Sequence, residues 1–427
     1  MSKNRITNPL RLSQPAGAAL AFMGVKGTVP LWHGVQGCTA FGKILFISHY
    51  REPLPFQTTA LSQANVVMGS DGNFFEAVEN LKDSCELIGV FTTGVAETSG
   101  VDLPRLIKEV EAKKLGVEVV GVSTPDFEGT LETGYVKACQ AMLDHFTQPN
   151  LPKRSGEVGL FLGPYIQPGE VEELRKIVED FGLCPRIFPD LGDSLLGYLM
   201  PQDHASSTIG GTSLKTLSEL SGLELLVSVG SSMKEVAAQF GEAQGIETYH
   251  YDSLIELSEI DHFMGLLMRQ TGKELPRRYL KERRHLQDTL LDVEVYYYDK
   301  KVGLLGDPEM ITRFKKPLES MGISTFAISP IKTDDYPEGD LEGALRLLPV
   351  ERPDLLLGNS HVAHLAEDEG LEAIRAGIPV EDRIGGHTWI RLGYRGAAAF
   401  YMEVANQLMV ADKGVTPYVS TLQATLI

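Results

Sequence analysis

VGLFLGPYIQPGEVEELRKIVEDFGLCPRIF, residues 158–188, carries the pattern that decides the fold. The run VGLFL (158–162) is apolar throughout, so it reads as a strand buried on both faces rather than one with a wet side. GPYIQPG (163–169) is a Gly-Pro loop, and residues 171–181 then place apolar side chains at three- and four-residue spacing, the signature of a helix against a core. Gly182 ends that helix and residues 185–188 return as a second apolar strand. Two strands joined by a helix-length crossover run parallel, because a tight hairpin cannot join strands of the same direction.

The same order recurs in the other thirds of the chain. VGLL (302–305), GDPE (306–309), a helical stretch 310–321 and a strand 324–328 match the first unit in detail. LIGVFT (87–92), a Gly-containing loop, a helical stretch 103–114 and a strand 117–122 repeat it more loosely. The expected class is therefore α/β, with three Rossmann-like domains, each a mainly parallel sheet flanked by helices. The 427 residues agree, at about 150 per domain. Limits are expected at 1–150, 151–293 and 294–427, the last with a C-terminal helical segment; the polar, Pro-containing stretch 148–156 and the charged stretch 292–301 supply the breaks. Ligands in such folds gather at the carboxyl ends of the strands, which makes the loops after Thr92, Leu162 and Leu305 candidate site walls.

Acidic residues outnumber basic ones 57 to 39, a formal net charge of -18, which argues against general affinity for nucleic acid or an anionic membrane. Four cysteines, Cys38, Cys85, Cys139 and Cys184, are too few and too scattered to staple a chain of this length, so a reducing, cytoplasmic setting is expected. The apolar run 16–25 is short for a membrane span and lacks a signal-type cleavage site. No loop carries GxGxxG, GxxxxGK[ST] or GxSxG, leaving nucleotide binding and a serine hydrolase without support. His361 and His364 form HxxH without a third ligand and read as solvated or capping residues. RRYLKERR (277–284) reads as a solvated helical face or a subunit contact.

HGVQGCTAFG (33–42) stands apart, since it sets one cysteine between glycines. Glycines let backbone approach a bulky ligand and leave amides free for sulfide, so Cys38 reads either as a thiolate ligand to iron or as a free cysteine in a tight turn. Cys85, Cys139 and Cys184 occupy ordinary core or boundary places.

Nine segments, in order, resemble the nitrogenase component 1 superfamily: residues 14–42 ending in HGVQGCTAFG, HYREPLPFQTTAL (49–61), GVFTTGVAETSGVDL (89–103), VSTPDFEG (122–129), PDLGDSL (189–195), TIGGTS (208–213), LLGDPE (304–309), DLLLGNSH (354–361) and GYRGA (393–397). Within it the chain is most similar to the β-like subunit of the scaffold on which the iron-molybdenum cofactor is matured. The catalytic β subunits of that family use three cysteines for their share of an eight-iron cluster. Here the first is kept as Cys38, while the second position holds Phe56 and the third Gly94.

The resemblance therefore implies one thiolate given to a four-iron four-sulfur cluster, with three more from a NifE-like partner in an α2β2-type heterotetramer. His33, Gln36, Gly37 and Thr39 would form the turn that orients Cys38, and Phe56, Thr93 and Gly94 would wall the cluster without ligating it, Phe56 either excluding water or filling vacated volume. GNSH and GYRG are expected in scaffold or interface roles. The implied role is assembly scaffold and electron-transfer subunit with no catalytic residue of its own. The nitrogenase iron protein would dock transiently, and the cofactor precursor would be held mainly by the partner. A β-like subunit of a nitrogenase-like reductase, or of a vanadium-system scaffold, is the alternative.

Overall fold

A computed structural model describes residues 8–197 and 205–411. Among the described residues twelve strands form three four-stranded sheets, and every pairing between them is parallel. The first sheet holds β1 (Thr28–His33), β2 (Gln57–Thr58), β3 (Leu87–Thr92) and β4 (Glu118–Val122). The second holds β5 (Arg154–Leu162), β6 (Cys184–Phe188), β7 (Leu223–Val229) and β8 (Glu247–Tyr251). The third holds β9 (Lys301–Leu305), β10 (Ser324–Ile328), β11 (Leu355–Gly358) and β12 (Glu372–Arg375). Spatial order is β2-β1-β3-β4, β6-β5-β7-β8 and β10-β9-β11-β12, one topology built three times.

That topology corrects one equivalence read from sequence. The units at 158–188 and 302–328 are the first and second strands of their sheets, whereas 87–122 is the third and fourth of the first sheet. Their true counterpart in the first sheet is β1, the helix α2 (Gln36–Tyr50) and β2. β2 is two residues long, too short to leave an apolar run, so the unit did not announce itself. Hence α2 is the structural equivalent of the helices Pro168–Asp180 and Pro308–Ser320.

The apolar run near the N-terminus is a buried helix, α1 (Gln14–Met23), every residue of which is buried. It crosses the helix Leu131–Phe146 almost backbone to backbone. A Cβ on Gly17 would lie 1.8 Å from the Leu131 carbonyl oxygen, and one on Gly134 would lie 1.9 Å from that of Gln14. Only glycine permits this approach. A continuous apolar cluster then runs from α1 through β5 and β7 to β9 and the C-terminal helix Gly393–Ala411, so the three sheets share one core.

The helix Gly393–Ala411 packs along Arg277–Tyr297, where the Tyr297 hydroxyl donates to the Tyr401 carbonyl at 2.6 Å. The basic run 277–284 opens that second helix, and its charge is partly consumed locally. Arg278 pairs with Glu282, Glu173 and Asp180, and Arg283 with Asp261. Among the described residues no helix is long and apolar enough to cross a membrane.

Candidate functional site

The carboxyl edge of the first sheet collects the residues singled out by sequence. β1 lies beside β3 with His33 opposite Thr92, so the segments that follow them emerge side by side. The Thr93 amide donates to the His33 carbonyl at 3.1 Å, and a Cβ on Gly34 would strike the Thr93 hydroxyl at 2.3 Å. β4 pairs with β3, which brings the segment after Val122 to the same edge.

The expected turn around Cys38 is instead the first turn of α2: Gln36, Gly37, Cys38 and Thr39 are helical, with Val35 as the flanking residue. Because α2 must cover β1 before the chain returns as β2, the helix starts almost at once after the strand. His33 does not take part in that turn. It ends β1, is buried, and shares a 3.2 Å hydrogen bond with the Ser70 hydroxyl; burial lowers its pKa to about 4.

Cys38 is half-buried, while Gln36 and Gly37 are exposed and no atom lies within 4 Å of where a Gly37 Cβ would be. Burial, and then the Asp126 carboxylate, push the Cys38 thiol above its ordinary range. An incoming metal would have to displace that proton. Thr39 is buried with its hydroxyl lacking any hydrogen-bond partner. Gly94 begins a short helix, and a Cβ there would lie 2.0 Å from Asp126 Oδ1.

Phe56 is 1% exposed; its ring meets Trp32 at 6.1 Å and Phe46 at 5.9 Å. It thus sits beneath α2 in an aromatic group that also includes Phe91. On the outer side of α2, Phe41 and Ile44 are 77% and 65% exposed, an unusual display for large apolar side chains on a helix.

Two of the three loops named as site walls, those after Leu162 and Leu305, meet at the junction of the second and third sheets, and polar side chains fill it. Glu309 accepts from the Ser232 amide at 3.0 Å and from its hydroxyl, and its own amide donates to Glu132 at 2.6 Å. The Tyr165 hydroxyl donates to Asp307 at 2.6 Å. Arg313 donates to the Tyr165 carbonyl and to Glu170, which also accepts from the Arg391 amide at 2.9 Å. Burial raises the pKa of Asp307 to about 7 and drives that of Glu132 well up, with neighbouring carboxylates adding to it. The cavities left there hold about 20 and 10 Å³, room for about one water molecule each. Sequence reading found the loops but not the carboxylates, since GDPE carries no motif that marks its acids as buried.

Of the remaining cysteines, Cys139 is buried in the helix Leu131–Phe146 and Cys85 is half-buried, its thiol raised to about 11 by burial; Cys184 is exposed at the start of β6. Asn359, not a histidine, caps the helix Ser360–Asp368 by accepting from the His361 and Val362 amides. Among the described residues no three His, Cys, Asp or Glu side chains converge to hold a metal.

The family model described as Nitrogenase component 1 type Oxidoreductase matches residues 13–409. The nitrogenase iron-molybdenum cofactor biosynthesis protein NifN of Nostoc sp. strain PCC 7120 is 34% identical over 96% of this chain and 95% of its own. Its Klebsiella pneumoniae namesake is 30% identical over 97% and 94%. A solved structure of nitrogenase Cp1 at pH 6.5 superposes with a TM-score of 0.89 at 26% identity, covering 98% of both chains.

Proposed function

The chain belongs to the nitrogenase component 1 type oxidoreductase family, and from that premise we propose that it is a scaffold subunit in maturation of the nitrogenase iron-molybdenum cofactor. It pairs with a NifE-like chain in an α2β2-type heterotetramer and gives Cys38 as its single thiolate to a four-iron four-sulfur cluster shared across the interface. When bound, that cluster supplies one-electron transfer, from the nitrogenase iron protein toward the precursor held mainly by the partner.

The observation that carries this reading is Cys38 itself: one accessible thiol, half-buried in the first turn of a helix, in a chain similar along 96% of its length to proteins named for cofactor biosynthesis. The donor set fits one corner of a shared cluster and not a whole one, because among the described residues no three His, Cys, Asp or Glu side chains converge to hold a metal. The partnerless Thr39 hydroxyl and the open space at Gly37 favour a large sulfur-rich group there. Thr93 and Gly94 border the same edge, and Gln36 lies exposed in the same first turn of α2 as Cys38. Phe41 and Ile44, exposed on α2 next to Cys38, give the partner an apolar surface to cover. We assign the complex to the cytoplasm and take 1–150, 151–293 and 294–427 as its three units.

The test is to co-express the chain with and without a NifE-like partner, count iron, and ask whether the product activates cofactor-deficient nitrogenase. Cofactor donation without substrate turnover is expected; substrate reduction at nitrogenase-like rates would favour a reductase subunit. Cys38→Ala should remove the interface cluster's electron paramagnetic resonance signal and its iron, and unchanged iron would defeat the ligand assignment.

A further inference from the structure

We propose that the crevice at the carboxyl end of the second sheet is a binding site for a small carboxylate, and that Glu309, reaching in from the helix after β9, is its resident ligand. The inference goes beyond the function proposed above and does not depend on the cluster at Cys38.

Strand order makes the crevice. The second sheet runs β6-β5-β7-β8, so the chain leaves β5 toward one edge and β7 toward the other. The loops after Leu162 and Val229 therefore diverge above adjacent strands, and the gap at such a divergence is where α/β sheets take their ligands. Each loop opens with a glycine, Gly163 or Gly230.

One side chain fills the gap. A Cβ on Gly163 would lie 2.3 Å from Oε1 and 2.5 Å from Oε2 of Glu309, and one on Gly230 would lie 2.7 Å from Oε1. Gly230 has φ 99°, which itself favours glycine, but Gly163 lies outside the left-handed region. What requires glycine at 163 is the carboxylate lying against it.

The same two loops supply the donors, each from the second residue after its glycine. The Ser232 amide donates to Oε2 at 3.0 Å, joined there by the Ser232 hydroxyl, and the Tyr165 amide donates to Oε1 at 3.4 Å. Converging N–H groups beside glycines are the means by which loops hold a free anion. Here the anion is tethered to the chain and fully buried. Its backbone is anchored separately, through the Glu309 amide to Glu132 at 2.6 Å, and Arg313 bonds the Tyr165 carbonyl and Glu170. Recognition of Glu309 thus comes from donors on both oxygens, with glycine backbone close by in each loop, which suits a carboxylate. Burial raises the Glu309 pKa, and the Ser232 and Tyr165 donors and Arg313 oppose that rise, so the assay below is set near pH 8.

Glu309→Ala vacates the crevice, and formate carries the carbon and both oxygens of the missing carboxylate. Melting of the full chain is followed in sodium formate and in sodium chloride of equal ionic strength for three proteins: native, Glu309→Ala, and Glu309→Ala combined with Gly163→Ala. In chloride Glu309→Ala should melt below the native chain, and formate should restore a saturable part of the difference. The native chain should gain nothing specific from formate, and neither should the double variant, whose added methyl takes the carboxylate's place. A Glu309→Ala melt indifferent to formate, or a formate gain shared equally by all three proteins, would overturn the assignment. If Glu309→Ala folds in neither salt, a double-mutant cycle of Glu309→Gln with Ser232→Ala decides: coupled losses support the cradle, and losses that simply add defeat it.

Discussion

Replacing Phe56 with alanine separates two roles for that ring, and the structure sets the scale. The side chain is 1% exposed and touches Trp32 and Phe46, so truncation removes apolar burial and leaves a cavity between two aromatic rings that cannot easily collapse. Buried Phe→Ala changes cost about 3–5 kcal/mol, with about 0.5–1.5 kcal/mol of that in each ring pair. For a cooperative unit of about 150 residues each kcal/mol moves the melting temperature by roughly 2–4 °C, so the first transition should fall by about 6–20 °C. The assay is calorimetry of the purified chain without a partner, where transitions need not merge into one. Phe56→Leu, which retains most of the apolar volume, should recover most of the loss. A melting shift under about 2 °C together with an altered cluster spectrum in the complex would refute the reasoning, because it would mean that the ring borders the cluster rather than filling the core.

Arg313→Met should destabilise the chain by about 3–5 kcal/mol in urea, since Glu170 would be left buried without its cation while still bound to the Arg391 amide. His49 is buried, accepts from the Val380 amide and bonds Gln167, and burial holds its pKa at about 4. The unfolded chain binds that proton below about pH 6.5 and the folded chain only below about 4, so this share of stability is present above pH 6.5 and lost as pH falls between them, by roughly 3 kcal/mol. Urea midpoints for native and His49→Gln proteins across that range should converge at low pH. Asp307, raised to about 7, acts with the opposite sign: its contribution is full below about pH 4 and is lost as pH rises toward 7, a slope that Asp307→Asn should flatten. Gly17→Ala, which sets a Cβ 1.8 Å from a carbonyl oxygen, should cost about 1–3 kcal/mol or more by melting temperature.

Residue order alone determined the class of this protein and the identity of its distinctive thiol. Buried parallel strands need continuous apolar runs, and VGLFL and VGLL show them directly. Cys38 was legible because glycines flank it and because positions 56 and 94 lack sulfur. Folding decided the rest. β2 is two residues long and leaves no periodic trace, so the equivalence of α2 with the helices Pro168–Asp180 and Pro308–Ser320 emerged only from strand order. The junction of Glu132, Tyr165, Asp307 and Glu309 joins residues up to 177 positions apart, beyond the reach of local pattern. The pairing of Gly94 with Asp126 belongs to the same kind: Asp126 is unmarked in sequence, and only the adjacency of β3 and β4 lays its carboxylate against Gly94.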